Sequence, residues 1–441
     1  MEQQMSNQLE IRDPIHNFIR LESDEVQVLD SAPFQRLRNI HQLALTYLLY
    51  PGATHRRFEH SLGVLELASR VYDVVTDFGK LHDGVRYIVP EGHKFEYWRK
   101  ALRMAALCHD LGHLPFSHAA ESELLPEGWD HERLTVELIR SDEMERIWGE
   151  LKVDPEDVAK LAVGPKHYRN GSFSDWEAIL SEIIVGDAFG VDRMDYLLRD
   201  SYHIGVAYGR FDHYRLIDTL RILPKVDRAP DEDSGSQEPV LGVEEGGLHS
   251  AEALMLARYF MFSQVYCHHV RRIYDIHLKD FLKSWLPDGK FSISAEDLMQ
   301  ITDNEIASEL SRAARDKGHP GSDPARRISR REHFRLLYQR TREDLQINRE
   351  ASNAVFEEAC REFGESEVRY DAYSQLGEGL NYPVIARDGR INSSLSKSET
   401  LGKMPIVAID YVYISPEYRK RAEIWRDKNR LRIITSKGVE E

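Results

Sequence analysis

"YWRKALRMAALCHDLGHLPFSH" spans residues 97–118 and changes character halfway along. Its first half carries helical periodicity as far as Cys108. His109 and Asp110 then arrive where Gly112 permits close backbone approach and Pro115 forbids further helix. The second half sets three histidines and an aspartate among mostly apolar, Gly and Pro positions. Such a stretch belongs inside a protein, where imidazoles and a carboxylate are costly unless something binds them. The segment thus predicts a buried helix that ends on a polar cluster.

Three other segments concentrate unusual polar residues. In "HRRFEHSLGVLELASRVYDVV" (55–75), a helical projection puts Phe58, Leu62, Leu65 and Tyr72 on one apolar face. His60, Val64, Leu67 and Val71 form a second, and Glu59, Glu66, Arg70 and Asp73 share the polar side. Alone, His60 reads as a core histidine held by a carbonyl. "WDHERLTVELI" (129–139) places Asp130 as a helix N-cap, with His131 and Glu132 in the first turn, where acids complement the dipole. In "VGDAFGVDRMDYLLRD" (185–200), Asp192, Asp195, Tyr196 and Arg199 fall at i, i+3, i+4 and i+7, the spacing of a solvated stripe with Asp–Arg pairing.

Composition narrows the class. The chain has 441 residues and a formal net charge of −16, which argues against nucleic-acid binding through a general basic surface. No run approaches the ~20 apolar residues of a membrane span, and the N-terminus lacks the pattern of a signal peptide. The three cysteines are far apart and lack CxxC spacing, so a reducing cytoplasm is expected. Residues 10–23 predict a short hairpin, and most segments from Glu25 to Tyr274 are helical. Residues 226–247 read as an exposed insertion, and 314–330 as a loop followed by helix from Arg331. After Glu367, "NYPVIARDGRI" and "MPIVAIDYVYIS" are β-rich. The expectation is a mainly α fold with a helical domain over 1–280, a helical extension over 281–366, and a small mixed α+β subdomain over 367–441.

At helical spacing His109 and Asp110 point about 100° apart, so one metal reaches both only near a helix end. Together the segments supply His, His-Asp and Asp from three helices, an N₂O₂ set suited to a divalent metal with open positions for water and substrate. Fe, Mn, Zn, Co and Ni all accept that set, and Mg²⁺ would accompany a polyphosphate. The surplus histidines then serve as acid–base groups, and Arg57, Arg193 and Arg199 suit a polyphosphate.

"RDPIHNFIRL", "FQRLRNIHQL", "YPGATHRRFEHSLGV", "CHDLGHLPFSH", "DHE" and "VDRMDYLLRDSYHIGV" carry a resemblance. The chain resembles the HD-domain metal-dependent phosphohydrolases, and within them the deoxynucleoside triphosphate (dNTP) triphosphohydrolases related to the SAM-and-HD-domain protein of animals. The likeness covers about residues 10–275; no SAM domain is expected ahead of the hairpin. It implies His60, His109, Asp110 and Asp192 as metal ligands, and His113, His118, His131 and Glu132 around the scissile bond, with His118 as proton donor to the leaving 5′ oxygen. Arg57, Arg193 and Tyr196 match phosphate-contacting positions, Arg193 standing where the family often has Lys. Gln42, Leu43 and Asp200 match positions that read the sugar. Asp30, Gln35 and Arg38 match residues that bind an activating guanine nucleotide at a subunit interface and promote a tetramer. Their alternative reading is ordinary helix-surface charge. The glycine run that follows Gln-Leu in animal members is here Ala44-Leu45-Thr46. "MFSQVYCHHVRRIYDIHL" (261–278) aligns only loosely and assigns no contacts.

The reaction implied is cleavage of a dNTP to deoxynucleoside and triphosphate, which lowers dNTP pools as housekeeping or in defence against phage. The expected partners are the dNTP substrate, an activating GTP or dNTP, and further copies of the chain in a dimer or tetramer. The rivals are another HD-type nucleotidase or phosphodiesterase, and a nucleotide-sensing module with an antiviral role.

Overall fold

The N-terminal hairpin forms as its sequence implies: β1 (Leu9–Asp13) and β2 (Asn17–Leu21) pair antiparallel, Leu9 opposite Leu21 and Asp13 opposite Asn17. Asn17 turns the corner with φ of 65°, a conformation that Asn tolerates. This computed structural model describes residues 8–116, 121–225, 238–374 and 379–436. Short helices α1 (Val26–Asp30) and α2 (Ala32–Arg36) follow, then α3 (Arg57–Val75) and α4 (His93–Cys108). After α5 (Glu121–Leu124) come α6 (His131–Ile139), α7 (Asp142–Leu151), α8 (Pro155–His167), α9 (Asp175–Val185) and α10 (Val191–Ile204). The fold is mainly α, as the periodicity implied.

Two compact units share the chain. The first comprises Met1–Met261, Ser292–Asn304 and Gly377–Met404; the second comprises Phe262–Phe291, Glu305–Leu376 and Pro405–Glu441. Boundaries drawn in chain order at 280 and 366 therefore do not coincide with the units, because the chain crosses between them repeatedly.

In the first unit α3 is the central helix. Both of its apolar faces are buried, and it packs on α4, α9 and α10. Phe58, Leu62, Leu65 and Tyr72 lie inside, as do His60, Val64, Leu67 and Val71. A four-stranded sheet, in the order β3–β4–β7–β8, joins β3 (Leu220–Pro224), β4 (Pro239–Glu244), β7 (Pro383–Ile385) and β8 (Ile391–Ser393). The Asp388-Gly389 turn links β7 to β8, with Gly389 at φ of 82°. Residues 226–237 lie outside the described residues, but the rest of the expected insertion is not loop. Val240–Val243 pair with Arg221–Leu223 of β3 and Leu220, and are largely buried. The acidic and Gly-rich neighbours of "PVLGVE" hid a strand whose apolar run is too short to show a period.

In the second unit β5 (Arg335–Gln339), β9 (Ala408–Ile414) and β6 (Val368–Ser374) form an antiparallel sheet in that order. Helices Ala351–Phe363 and Arg419–Ser436 contribute Ala354, Val355, Ile433 and Ile434 to the same core as Leu337, Val412 and Ile414. The expected order of loop and helix around Arg331 is reversed: Ser322–Ser329 is helix, and "RLLYQ" is the strand β5. A run as short as Leu336–Tyr338 fits either state, and pairing with β9 selected strand. No helix among the described residues is long and apolar enough to cross a membrane.

One carboxylate of the first unit couples this packing to pH. Part-buried Glu182 on α9 accepts the Leu241 N–H of β4 at 3.1 Å. Burial, with Glu238 and Asp187 nearby, pushes its pKa up to about 7. Because the folded pKa lies above the unfolded one, stability falls as pH rises from about 4.5 toward 7. Glu182→Gln keeps an acceptor without the charge, so thermal unfolding should show the variant about 1–3 kcal/mol more stable than the parent at pH 8 and equal to it at pH 4.

Candidate metal centre

α4 ends at Cys108, and His109 is its C-cap residue. That ending lets His109 and Asp110 face one place despite their helical spacing. The His109 Nδ1–H donates to Ala106 O at 2.8 Å, which leaves Nε2 as the lone-pair nitrogen. This Nε2 is buried without a hydrogen-bond partner. It lies 3.3 Å from Asp110 Oδ1 and 3.6 Å from Asp192 Oδ1. His60, on α3, brings its Nε2 to 3.0 Å from Asp192 Oδ1 and 3.7 Å from Asp110 Oδ2. One atom each of His60, His109 and Asp192 lie within 4.8 Å of one another. His60, His109 and Asp110 are buried, whereas the Asp192 side chain is 34% exposed and opens the site to solvent.

The electrostatics call for positive charge at this point. Burial opposes ionisation of His60, but Asp192, Asp195 and Asp110 overcome it and raise its pKa to about 10. Burial likewise disfavours charge on Asp110, and Arg57 with His109 and His113 holds its carboxyl well below the usual range. Two imidazole nitrogens and clustered carboxylate oxygens, one nitrogen orphaned, fit a divalent cation.

Behind the ligands stands a residue that the spacing misread. Asp195 was expected on a solvated stripe, yet it is fully buried. Its Oδ2 accepts from His60 Nδ1 at 2.8 Å, and its Oδ1 pairs with His16 Nε2 at 2.7 Å. Arg199 adds bonds to both oxygens and reaches Asp13 Oδ2 at 2.8 Å. Arg199 is therefore enclosed and spent on two carboxylates, not free for a phosphate, because the Asp195 and Arg199 side chains meet the hairpin residues His16 and Asp13 instead of water. Its i, i+4 relation to Asp195 was the one legible signal.

The second half of the opening segment forms a separate group. His113 Nε2 lies 3.1 Å from Asp110 Oδ1, and its ring stacks on His131 at 4.0 Å. His131 Nδ1 pairs with Glu121 Oε1 at 2.6 Å and lies 3.2 Å from Glu132 Oε2. Burial and Arg57 push the His113 pKa well down; for His131 burial opposes charging, but Glu121 and Glu132 raise it. Within the stack the surroundings favour a proton on His131 over one on His113. Asp130 caps α6 through the Arg133 N–H at 2.8 Å, as its position implied. His118 lies outside the described residues.

Of the remaining predicted residues, Arg57 hydrogen-bonds Asp110 Oδ2 and is buried beside the cluster. Arg193 is turned onto the carbonyls of Gly186 and Asp187, with Tyr196 beside it. Gln42 Oε1 is buried without a partner, Leu43 is buried next to it, and Asp200 is held by His55 Nε2 at 2.7 Å. Asp30 and Arg38 are exposed; Gln35 accepts from Arg38 Nε at 2.7 Å and donates to Leu29 O at the same distance.

Comparison with known proteins places the chain in a family. The HD domain matches residues 57–199, and an HD-associated region matches 211–367. The chain belongs to the HD-domain family and carries the HD-associated region as well. A solved structure of a hypothetical protein from Aquifex aeolicus superposes with a TM-score of 0.76 at 30% identity, covering 95% of this chain and 99% of that one. An uncharacterised protein of Methanocaldococcus jannaschii is 34% identical over 68% of this chain and 54% of its own length. The deoxynucleoside triphosphate triphosphohydrolase SAMHD1 of Gallus gallus is 30% identical over 74% and 55% respectively. The chain thus spans about half the length of the curated relatives it matches.

Gly63 gives the centre a sharp test. A Cβ there would fall 1.9 Å from Asp195 Oδ1 and 2.5 Å from an Arg199 nitrogen. Gly63→Ala should cost about 3 kcal/mol or more in denaturant unfolding and lower bound metal per chain, since Asp195 no longer holds the His60 ring.

Proposed function

We propose that this chain hydrolyses dNTPs, with water attacking the α-phosphorus and deoxynucleoside and intact triphosphate leaving. The observation that carries the reading is the buried, unpaired Nε2 of His109 facing Asp192, beside His60. His60, His109, Asp110 and Asp192 would hold a divalent transition metal, among Fe, Mn, Zn, Co and Ni, with Mg²⁺ accompanying the triphosphate. An ion held there would lower the pKa of a water and neutralise phosphate oxygens.

The chain's own residues do the rest. Arg57 lies against Asp110 and offers its guanidinium to a phosphate at the edge of the cluster. Arg193, released from the carbonyls that now occupy it, and Tyr196 supply further contacts to the triphosphate. His113 and His131, with Glu132, stand where protons move, and His118 gives a proton to the leaving 5′ oxygen. Gln42, whose carbonyl oxygen lacks a partner, reads the sugar with Leu43 and Asp200, a polar arrangement that discriminates because an unpaired group is costly. Asp30, Gln35 and Arg38 form a candidate regulatory nucleotide site at a contact between copies of the chain. The setting proposed is the cytoplasm, where the activity lowers dNTP pools.

Product analysis tests the reading. Purified protein supplied with each metal in turn, with and without GTP, should release tripolyphosphate from at least one dNTP. His109→Ala and Asp192→Ala should lower that rate by about a thousandfold or more while leaving the fold intact. Orthophosphate from a monophosphate, opening of a cyclic nucleotide, or nucleotide binding with no turnover under any metal would replace this reading with a rival.

A further inference from the structure

A carboxylate far along the chain joins two parts of the site. Asp303 belongs to the Ser292–Asn304 segment of the first unit and is 1% exposed. Its Oδ2 accepts the His41 backbone N–H at 2.8 Å and pairs with the His41 ring Nδ1 at 2.6 Å. Its Oδ1 accepts the Phe116 N–H at 2.7 Å. One side chain thereby ties the residue before Gln42 to the segment His113–Phe116.

Both ends need such a tie. Phe116 sits at φ of 55°, a strained conformation for an aromatic residue, and persists only where the surroundings over-determine it. The His41 ring lies parallel to Phe116 at 6.2 Å and stacks on Tyr47 at 5.1 Å on another side. His41 itself bridges Arg56, and the flanking bonds Gln42 N–H to His55 O and Arg57 N–H to Ile40 O make a short ladder onto the start of α3. The ladder sets Gln42 beside the helix that carries Arg57 and His60. Arg36 braces the same loop, donating to His113 O at 2.9 Å and to Ile301 O at 3.2 Å. No hydrophobic pattern around "ITDNE" (301–305) marks this role.

We infer that Asp303 is a positioning residue for the proposed hydrolysis, holding the Gln42–Leu43 turn and the His113–Phe116 loop in one register. It touches neither substrate nor metal; it fixes the separation of the group that reads the nucleotide from the groups that move protons. The inference rests on the dNTP hydrolysis reading for its kinetic consequence, but not for its structural one.

Two variants and two readouts separate these parts. In Asp303→Asn, the side chain keeps its shape but offers only one accepting oxygen, so the Phe116 and His41 bonds cannot both persist. Hydrogen exchange over residues 111–116 should rise at least about tenfold, exchange over α3 should stay as in the parent, and bound metal should be unchanged. kcat should fall about ten- to a hundredfold and KM should rise, the consequence of groups displaced by about an ångström. In His41→Phe, stacking on Phe116 and Tyr47 remains and the Phe116 N–H keeps Asp303, so KM should rise about tenfold with kcat within about threefold of the parent. Asp344→Asn, a buried carboxylate of the second unit bonded to Tyr338, serves as a control for simple loss of stability and should change neither exchange over 111–116 nor KM.

Unchanged exchange over 111–116 in Asp303→Asn overturns the inference. So does released exchange with unaltered kcat and KM, or an equal fall in kcat for His41→Phe. If the parent protein turns over no dNTP, the functional reading fails and the exchange arm still decides whether Asp303 holds the loop.

Discussion

Asp195 is the constraint around which the site is built. A carboxylate with no exposure is expensive unless each oxygen is paired, and here His60, His16 and Arg199 supply the partners. Each partner draws in another element. His16 brings the N-terminal hairpin, Arg199 brings Asp13, and His60 brings α3. Gly63 then follows as a requirement, since α3 must pass close enough to leave no space for a side chain. The hairpin, which contributes no residue to the candidate metal group, is therefore part of its support.

The same logic runs through the remaining polar groups. His109 is oriented by a carbonyl of its own helix, so its outward nitrogen is the one left for a cation. Gly112 lets the start of α6 come close: a Cβ there would fall 2.1 Å from His131 O, and Thr135 Oγ1 accepts the Gly112 N–H at 2.9 Å. That approach stacks His131 on His113 and gives the two rings opposite preferences for a proton.

Much of this was legible in the residues. The breaks at Gly112 and Pro115, the N-cap Asp130 and the buried faces of α3 all follow from local pattern plus the cost of burying polar groups, while the grouping of His60, His-Asp and Asp192 was implied by the family resemblance. Asp195 and Arg199 were misread because a polar i, i+4 pair looks the same whether its face meets water or another element. Strand β4 was hidden for a related reason: six residues flanked by acids carry too little periodicity to announce themselves. Asp303 left no local trace, since its partners are His41 and Phe116, far away in the chain.

The sequence by itself determined where helices start and stop, which faces are apolar, and which side chains are of a kind able to bind a cation. Those properties depend on neighbours within a few turns of chain, where backbone geometry alone sets what lies beside what. Only the tertiary structure decided which polar residues stand behind the ligands, which arginine is already spent, and which distant carboxylate holds the loop. Those outcomes depend on pairings between residues such as His16 and Asp195 or His41 and Asp303, and a hydrogen bond across that separation exists only once packing has brought its two ends together.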